Sequence, residues 1–236
     1  YDYDSAHMMD DFAPQGLGKR VCQQTQRYLG GRSCETAVLP VVAGPMAARS
    51  FISGLVSAAN AEDIQRGRSY LIGKRGERIA PEFMTIIDDP HIPGGLSSGA
   101  FDSEGVPAQR VAVIENGGVA NWLHGSYTAN KAGEQNNGHG TRRGGVSATN
   151  IIPSLGELTA EQMIKETGEG IYIERGMLGP SLTSGELSAT VDFGFKIENG
   201  ELTYPLKNTM IGIGVWDMLD CLDAISCDYR EEPGMI

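Results

Sequence analysis

Apolar and polar residues alternate in several short runs of this chain, and Asn-Gly pairs separate some of these runs. The clearest case is a strand over residues 187–197, a turn at Asn199 and Gly200, and a second strand over residues 201–206. A two-residue turn of this kind needs positive φ at both central positions, which Asn and Gly tolerate well. The runs 111–115 and 119–123 flank a second Asn-Gly pair. The sequence therefore predicts two β-hairpins.

Other stretches repeat apolar residues at helical spacing. Residues 45–65 carry apolar side chains at positions 51, 52, 55, 56 and 59, and Pro45 suits a first helical turn. Thr159 and Gln162 have the spacing of a capping box, and Gly168 suits the end of the helix that they begin. The same reasoning predicts two further helices, over residues 14–28 and 215–225.

Short apolar runs predict additional strands, over residues 37–42, 69–72, 83–88 and 171–174. Hairpins, and not helical crossovers, join successive strands, which favours antiparallel pairing. We therefore expect an α+β fold with a large, mostly antiparallel β-sheet and about four flanking helices. The Gly-rich stretches 90–107 and 131–150 are expected to be loops, the second of them mobile.

The composition narrows the classes of function. The chain has 236 residues, a net charge of -11 and a pI near 4.8, so its surface should repel phosphate backbones and DNA is not an expected partner. No apolar run reaches the roughly 18 residues of a membrane span. The expectation is a cytoplasmic protein without membrane contact and with its four cysteines reduced.

Metal-binding patterns are absent from the sequence. The four histidines are His7, His91, His124 and His139, and none has another His or Cys three to five residues later. Zinc requires three or four converging donors, and a helix with paired histidines would supply two. The sequence therefore predicts no metal and no cofactor.

Two loops carry other candidate chemistry. Asp102 and Glu104 lie close together and could act as an acid–base pair, although Asp and Gly are also ordinary turn residues. The stretch 138–145 is Gly-rich with Arg142 and Arg143, and it could either wrap a phosphate or form a solvated loop. An active hydrolase that uses Asp102, Glu104, His124 or His139 therefore stays an alternative.

Several motifs together resemble those of the TldD/PmbA family. The similarity covers nearly the whole chain and is strongest in the 185–206 hairpin and in Asp217-Met-Leu219 of the following helix. The other markers, in chain order, are Arg66-Gly-Arg-Ser-Tyr-Leu-Ile-Gly73, Gly76-Glu77, Asp88-Asp-Pro90, Pro93-Gly-Gly95, Phe101-Asp-Ser-Glu-Gly-Val-Pro107, Val113-Ile-Glu-Asn-Gly117 and Gly168-Glu-Gly-Ile-Tyr172. The resemblance implies that residues 1–236 form one C-terminal domain, with 1–35 as a leading segment and helix. The N-terminal domain of the family is not in this chain.

The resemblance also implies where a zinc site would lie. Peptidase-type members carry His-Glu-x-x-x-His on the helix before the Arg-Gly-x-Ser motif, with two zinc ligands and a base that activates water. Counted back from Arg66, these three positions are Ser53, Gly54 and Ala58. Gly and Ala have no functional group, and Ser is a poor neutral ligand, so neither the metal nor the base can be held there.

The implied function is that of a PmbA-like subunit, related to peptidases and to modulators of DNA gyrase but without catalysis of its own. Such a subunit would pair with a TldD-like zinc subunit or with itself, and it would help to hold a peptide, for example by strand addition to a sheet edge. Two alternatives remain. One is an active zinc peptidase or other hydrolase with an unrecognised site, and the other is a non-enzymatic module that binds gyrase, DNA or another protein.

Overall fold

The computed structural model describes residues 2–228. Within them, a short 3-10 turn, Met9–Asp11, precedes six α-helices. The helices are α1 Leu17–Arg27, α2 Pro45–Ala58, α3 Ala61–Gln65, α4 Ser126–Ala132, α5 Ala160–Thr167 and α6 Val215–Asp220. The ten strands are β1 Val41–Ala43, β2 Ile86–Asp88, β3 Val111–Glu115, β4 Gly118–Val119, β5 Ile151–Pro153, β6 Gly170–Arg175, β7 Glu186–Thr190, β8 Phe193–Glu198, β9 Glu201–Pro205 and β10 Met210–Gly214.

The strands form three sheets. Two have four strands each, in the orders β1-β6-β8-β9 and β4-β3-β2-β5, and β10 pairs with β7 in a two-stranded ribbon. Every pairing is antiparallel except that of β1 with β6. The predicted α+β class is confirmed. The predicted, mostly antiparallel pairing is confirmed as well, and the strands are divided among three sheets.

Both Asn-Gly turns form as predicted. Asn199 and Gly200 have φ of 53° and 75°, and Asn116 and Gly117 have φ of 48° and 76°. Gly117 is also required by space, because a Cβ there would lie 2.1 Å from the carbonyl oxygen of Ala80. The capping box of α5 is present as well: the side chain of Thr159 accepts from the backbone N–H of Gln162, and Gly168 follows the last turn with φ of 66°.

The predicted strand over 187–197 is two strands, because the chain turns at Val191, whose side chain is buried and whose N–H bonds to Thr209. Strand β10, which was not predicted, follows β9 in the chain and pairs with β7. The predicted strand over 69–72 is wrong. Those residues form turns, in which the buried Ser69 hydroxyl donates to the carbonyl of Ala58 and accepts from the N–H of Leu71.

The predicted helix over 45–65 is two helices. Asn60 interrupts it, since its side chain accepts from the N–H of Glu62 and so begins α3. The predicted strand over 119–123 ends at Val119, because the chain beyond it turns to pair Leu123 with Ala59 and Ala61. The stretch 131–150 was expected to be a loop. Helix α4 ends within it, at Ala132, and strand β5 begins just after it, at Ile151.

Helix α2 is central to the apolar core. Its buried residues Phe51, Leu55 and Val56 contribute to a cluster that also contains residues of all three sheets. Residue contacts connect α2 with β1, β5 and β6, so the helix lies against both four-stranded sheets. The C-terminal end of α2 is therefore fixed by the packing of the whole domain, and it borders the site described next.

Candidate functional site

A cavity of about 300 Å³ opens at the C-terminal end of α2. It lies between α2 and α3 on one side and the extended segment 146–148 on the other. Its lining residues are Val56, Ser57, Asn60, Asp63, Leu123, Val146, Ser147 and Ala148. The lining is mixed, with four aliphatic side chains, two hydroxyls, one amide and one carboxylate. This carboxylate, of Asp63, is already paired with Arg68 at 2.8 Å.

The three positions predicted to be a degenerate zinc motif lie on α2, but they face different surroundings. Ser53 is half-buried, Gly54 contacts a neighbouring segment, and Ala58 is fully buried in the apolar core. None of the three lines the cavity, whereas Ser57, one residue before Ala58, does. Sequence reasoning missed Ser57 and Asn60, because nothing in a lone Ser or Asn distinguishes a cavity wall from a helix surface.

A segment after β6 lies directly across α2 at Gly54. A Cβ at Gly54 would be 2.9 Å from Cδ of Pro180. One turn earlier, the hydroxyl of Ser50 accepts from the N–H of Leu178 at 2.6 Å and is 3.3 Å from the carbonyl of Gly176. The helix surface at this position is therefore covered by residues 176–180, and a larger side chain at Gly54 has no room.

The structure gives each of the four residues named for an alternative hydrolase a structural partner. Asp102 accepts from the N–H groups of Glu104, Val106 and Gly140, which makes it the centre of a turn. Glu104 accepts from the N–H of Ser126 at 2.8 Å, at the start of α4. The two carboxylates hold loops in place, as the turn interpretation of this stretch predicts.

His139 is fully buried between two acceptors. Its Nε2 lies 2.9 Å from Oδ1 of Asp88, and its Nδ1 lies 3.0 Å from Oδ1 of Asn137. The Asn137 amide has only one orientation, since its Oδ1 accepts from the N–H of His124 and its Nδ2 donates to the carbonyl of Trp122. Both ring nitrogens of His139 therefore lie within hydrogen-bonding distance of a side-chain oxygen.

Asp88 completes this pair with two further contacts. Thr149 donates its N–H to Oδ2 at 2.6 Å and its hydroxyl to Oδ1. Sequence reasoning named Asp88 only as the last residue of a predicted strand and as part of a family marker. The available signal was its place at the end of an apolar strand, where an acidic residue needs partners to be buried.

His124 is equally buried but has one nitrogen without a hydrogen bond. Its Nδ1 lies 3.2 Å from the hydroxyl oxygen of Thr128, while Nε2 has no partner and is 3.7 Å from Oε2 of Glu134. Burial lowers the pKa of His124, and the cations Arg75 and His139 act in the same direction, while Glu134 opposes them. Its neutral form is therefore favoured in the folded protein.

The other two histidines and the Gly-rich loop do not form a binding site either. His7 Nε2 lies 3.1 Å from the carbonyl oxygen of Gly95, and the side chain of His91 is about half exposed. Across residues 2–228, no group of three or more His, Cys, Asp or Glu side chains converges as a metal site would require. In the Gly-rich loop, the N–H groups of Thr141 and Gly144 bond within a tight turn, so they are not free to hold a phosphate.

A comparison with known protein families shows to which family this chain is related. Residues 36–236 match the family model for the PmbA/TldA metallopeptidase C-terminal domain. The chain belongs to this family. No helix among residues 2–228 is long and apolar enough to cross a membrane.

Two curated relatives are similar over most of this chain. The metalloprotease PmbA of Escherichia coli O157:H7 is 33% identical over 220 residues, which are 92% of this chain and 48% of that protein. A metalloprotease of Methanothermobacter thermautotrophicus is 32% identical over 221 residues, which are 91% of this chain and 48% of the relative. The chain thus spans about half the length of the curated relatives that it matches.

Two solved structures share the fold. A Thermotoga maritima protein, described as a candidate modulator of a DNA gyrase, is 29% identical with a TM-score of 0.87. The similarity covers 98% of this chain and 54% of that one. TldE from Thermococcus kodakarensis is 26% identical with a TM-score of 0.83, covering 95% of this chain and 52% of its own.

Proposed function

We propose that this chain is the C-terminal domain of a PmbA-like, non-catalytic subunit of a complex that acts on peptides. One observation carries the proposal: helix α2 offers no metal-binding side chain where it borders the cavity. The predicted motif positions are Ser53, Gly54 and Ala58, and the α2 residues that line the cavity are Val56 and Ser57. A catalytic zinc needs three protein ligands and a position for water, and these side chains do not fit that requirement.

The names of the relatives support the part of the proposal that concerns peptides. Relatives similar over most of this chain are described as metalloproteases, and one structural neighbour is called TldE. A subunit without metal ligands acquires a role in proteolysis if it pairs with a second subunit that has them. The expected partner is a TldD-like subunit with a His-Glu-x-x-x-His motif, or a second copy of this protein, in the cytoplasm.

The hydrolase alternative is less well supported. Asp102, Glu104 and His139 each have hydrogen-bonding partners that hold loops together, and His139 is fully buried. A general acid or base must reach its substrate, and a side chain closed off from solvent does not. A direct DNA-binding role is disfavoured by the net charge of -11, so any connection with gyrase would act through protein contacts.

The test is co-purification combined with metal analysis of the full-length protein. The tagged subunit is expressed alone and together with a His-Glu-x-x-x-His subunit from the same source. We expect one stable complex on gel filtration, with stoichiometric zinc in the complex and none in the isolated subunit. Stoichiometric zinc in the isolated subunit, or peptide cleavage by it that a chelator abolishes, would instead support the hydrolase alternative.

A further inference from the structure

Helix α1 lies on the domain without entering its core. Its half-buried side chains are Leu17, Val21 and Gln24, and the other residues of the helix are exposed. Tyr28, directly after the helix, continues the same stripe at helical spacing. Among the described residues, the apolar core cluster and the apolar side chains packed against it include none from α1. The helix is therefore attached at the surface, whereas α2 is part of the core.

The half-buried stripe covers an aromatic surface of the sheet β1-β6-β8-β9. The ring centroid of Tyr28 lies 4.7 Å from that of Phe193 and 5.2 Å from that of Phe195. The guanidinium of Arg27 lies 4.8 Å from the centroid of the Phe195 ring. Phe193 and Phe195 are two residues apart in β8, so they share one face of the sheet. Phe195 is 5% exposed although it is not part of the core cluster, so its burial depends in part on Arg27 and Tyr28.

Polar contacts attach α1 to the end of β6. Glu174 accepts from the Tyr28 hydroxyl at 2.6 Å and lies 3.3 Å from a guanidinium nitrogen of Arg27. The next residue, Arg175, donates to the side-chain oxygen of Gln24 at 3.3 Å. The side chain of Arg27 is 48% exposed, and ion pairs that reach solvent are weak and screened by salt. The attachment of α1 is therefore sensitive to ionic strength.

We propose that α1 and Tyr28 form a strap that undocks from Phe193 and Phe195 as one unit while the rest of the domain stays folded. Loss of the Glu174 carboxylate, or a rise in salt concentration, shifts the strap toward the undocked state. A helix of 11 residues is marginal in water without a packing partner, so the undocked strap loses its helical hydrogen bonds. Local opening of this kind requires less free energy than global unfolding. The strap thereby controls access to the aromatic face of β8.

Hydrogen exchange followed by mass spectrometry tests the inference on the full-length protein, because it measures α1 and α2 separately in one sample. Glu174→Ala removes the acceptor of Tyr28 and the partner of Arg27. The matched control is Glu169→Ala, which removes an exposed carboxylate beside the same sheet, where it pairs with Lys196 at 3.0 Å. Exchange of the wild type and both variants is measured at about 50 mM and about 500 mM NaCl.

In the wild type, we expect the amides of α1 to exchange at least about tenfold faster than those of α2. Glu174→Ala and high salt should each accelerate exchange in α1 by at least about threefold and leave α2 unchanged, while Glu169→Ala should leave both within about twofold. Equal acceleration of α1 and α2 in Glu174→Ala would overturn the inference, because α1 would then open only when the whole domain unfolds. Unchanged exchange of α1 in that variant would overturn it as well. So would exchange of wild-type α1 as fast as in an unstructured peptide, because the helix would then not be docked.

Discussion

Nε2 of His139 lies 2.9 Å from Oδ1 of Asp88, and neither side chain is exposed to solvent. The pair connects strand β2 with the loop that leads from α4 to segment 146–148. Oδ1 of Asn137 lies 3.0 Å from the other ring nitrogen of His139, and Thr149 donates two hydrogen bonds to Asp88. Every polar side-chain atom of the pair therefore has a hydrogen-bond partner. Such a pair is costly to break, because removing one partner leaves the other buried without its hydrogen bond.

We therefore expect Asp88→Asn to lower the free energy of unfolding by about 1–3 kcal/mol, since the amide nitrogen of Asn cannot accept from the N–H of Thr149. The control is Glu77→Gln, which breaks the exposed ion pair with Lys74 and should cost about 0–1 kcal/mol. Urea denaturation followed by circular dichroism measures both. Equal losses for the two variants would mean that the Asp88–His139 contact contributes no more than a surface pair.

The second prediction concerns the response to acid. Burial lowers the pKa of His124 below its ordinary value of 6.5, so the unfolded chain binds a proton there more readily than the folded protein. The free energy of unfolding should then be greatest above pH 6.5 and should decrease as the pH falls below that value. Denaturation at a series of pH values from about 7.5 to 5 measures the slope.

A variant isolates the contribution of His124 to that slope. His124→Gln removes the titrating group and should flatten the profile. If His124→Gln keeps the wild-type slope over this range, another group causes the acid sensitivity.

A third prediction follows from the contact between Gly54 and Pro180. In an open helix, Gly→Ala stabilises by about 0.5–1 kcal/mol. Gly18 in α1 has nothing within 4 Å of a Cβ position, so Gly18→Ala should stabilise by that amount. Gly54→Ala should instead destabilise, because its methyl group would lie 2.9 Å from Cδ of Pro180. The two melting temperatures should move in opposite directions, and a stabilised Gly54→Ala variant would show that segment 176–180 gives way easily.

The elements that the sequence predicted are those fixed by local chemistry. Both Asn-Gly turns and the capping box at Thr159 depend on a few adjacent residues, and all three occur. The α+β class followed from the same hairpins. Local patterns also placed a helix start at Pro45, where α2 begins.

The elements that were missed depend on contacts that are distant in the chain. The turns at 69–72 look apolar and strand-like, but Tyr70 bonds to Leu182 and Ser69 to Ala58. Strand β10 pairs with β7, and its glycines at positions 212 and 214 weaken the strand signal of its two isoleucines. Pairing and burial of this kind outweigh local propensity.

The candidate site was likewise predictable from the sequence only in part. A degenerate zinc motif at positions 53, 54 and 58 stays a prediction from the resemblance, based on the residue types there. Which side of α2 borders a cavity is decided by the packing of α2 against the sheets, so Ser57 and Asn60 emerged only from the structure. Asp102, Glu104, His124 and His139 were grouped by chemistry alone, and in the fold each of them has its own structural hydrogen-bond partner.

The last prediction asks which position on α2 tolerates a metal-binding side chain. Ala58 is fully buried, so Ala58→His must place a polar ring in a filled core, and we expect a loss of at least about 2–3 kcal/mol in the free energy of unfolding. Ser57 is exposed at the cavity mouth, so Ser57→His should change stability by about 0.5 kcal/mol or less. Urea denaturation of the two variants measures the contrast. If Ala58→His is as stable as Ser57→His, the core around the end of α2 can open, and the predicted motif position at Ala58 would then be able to present a side chain to the cavity.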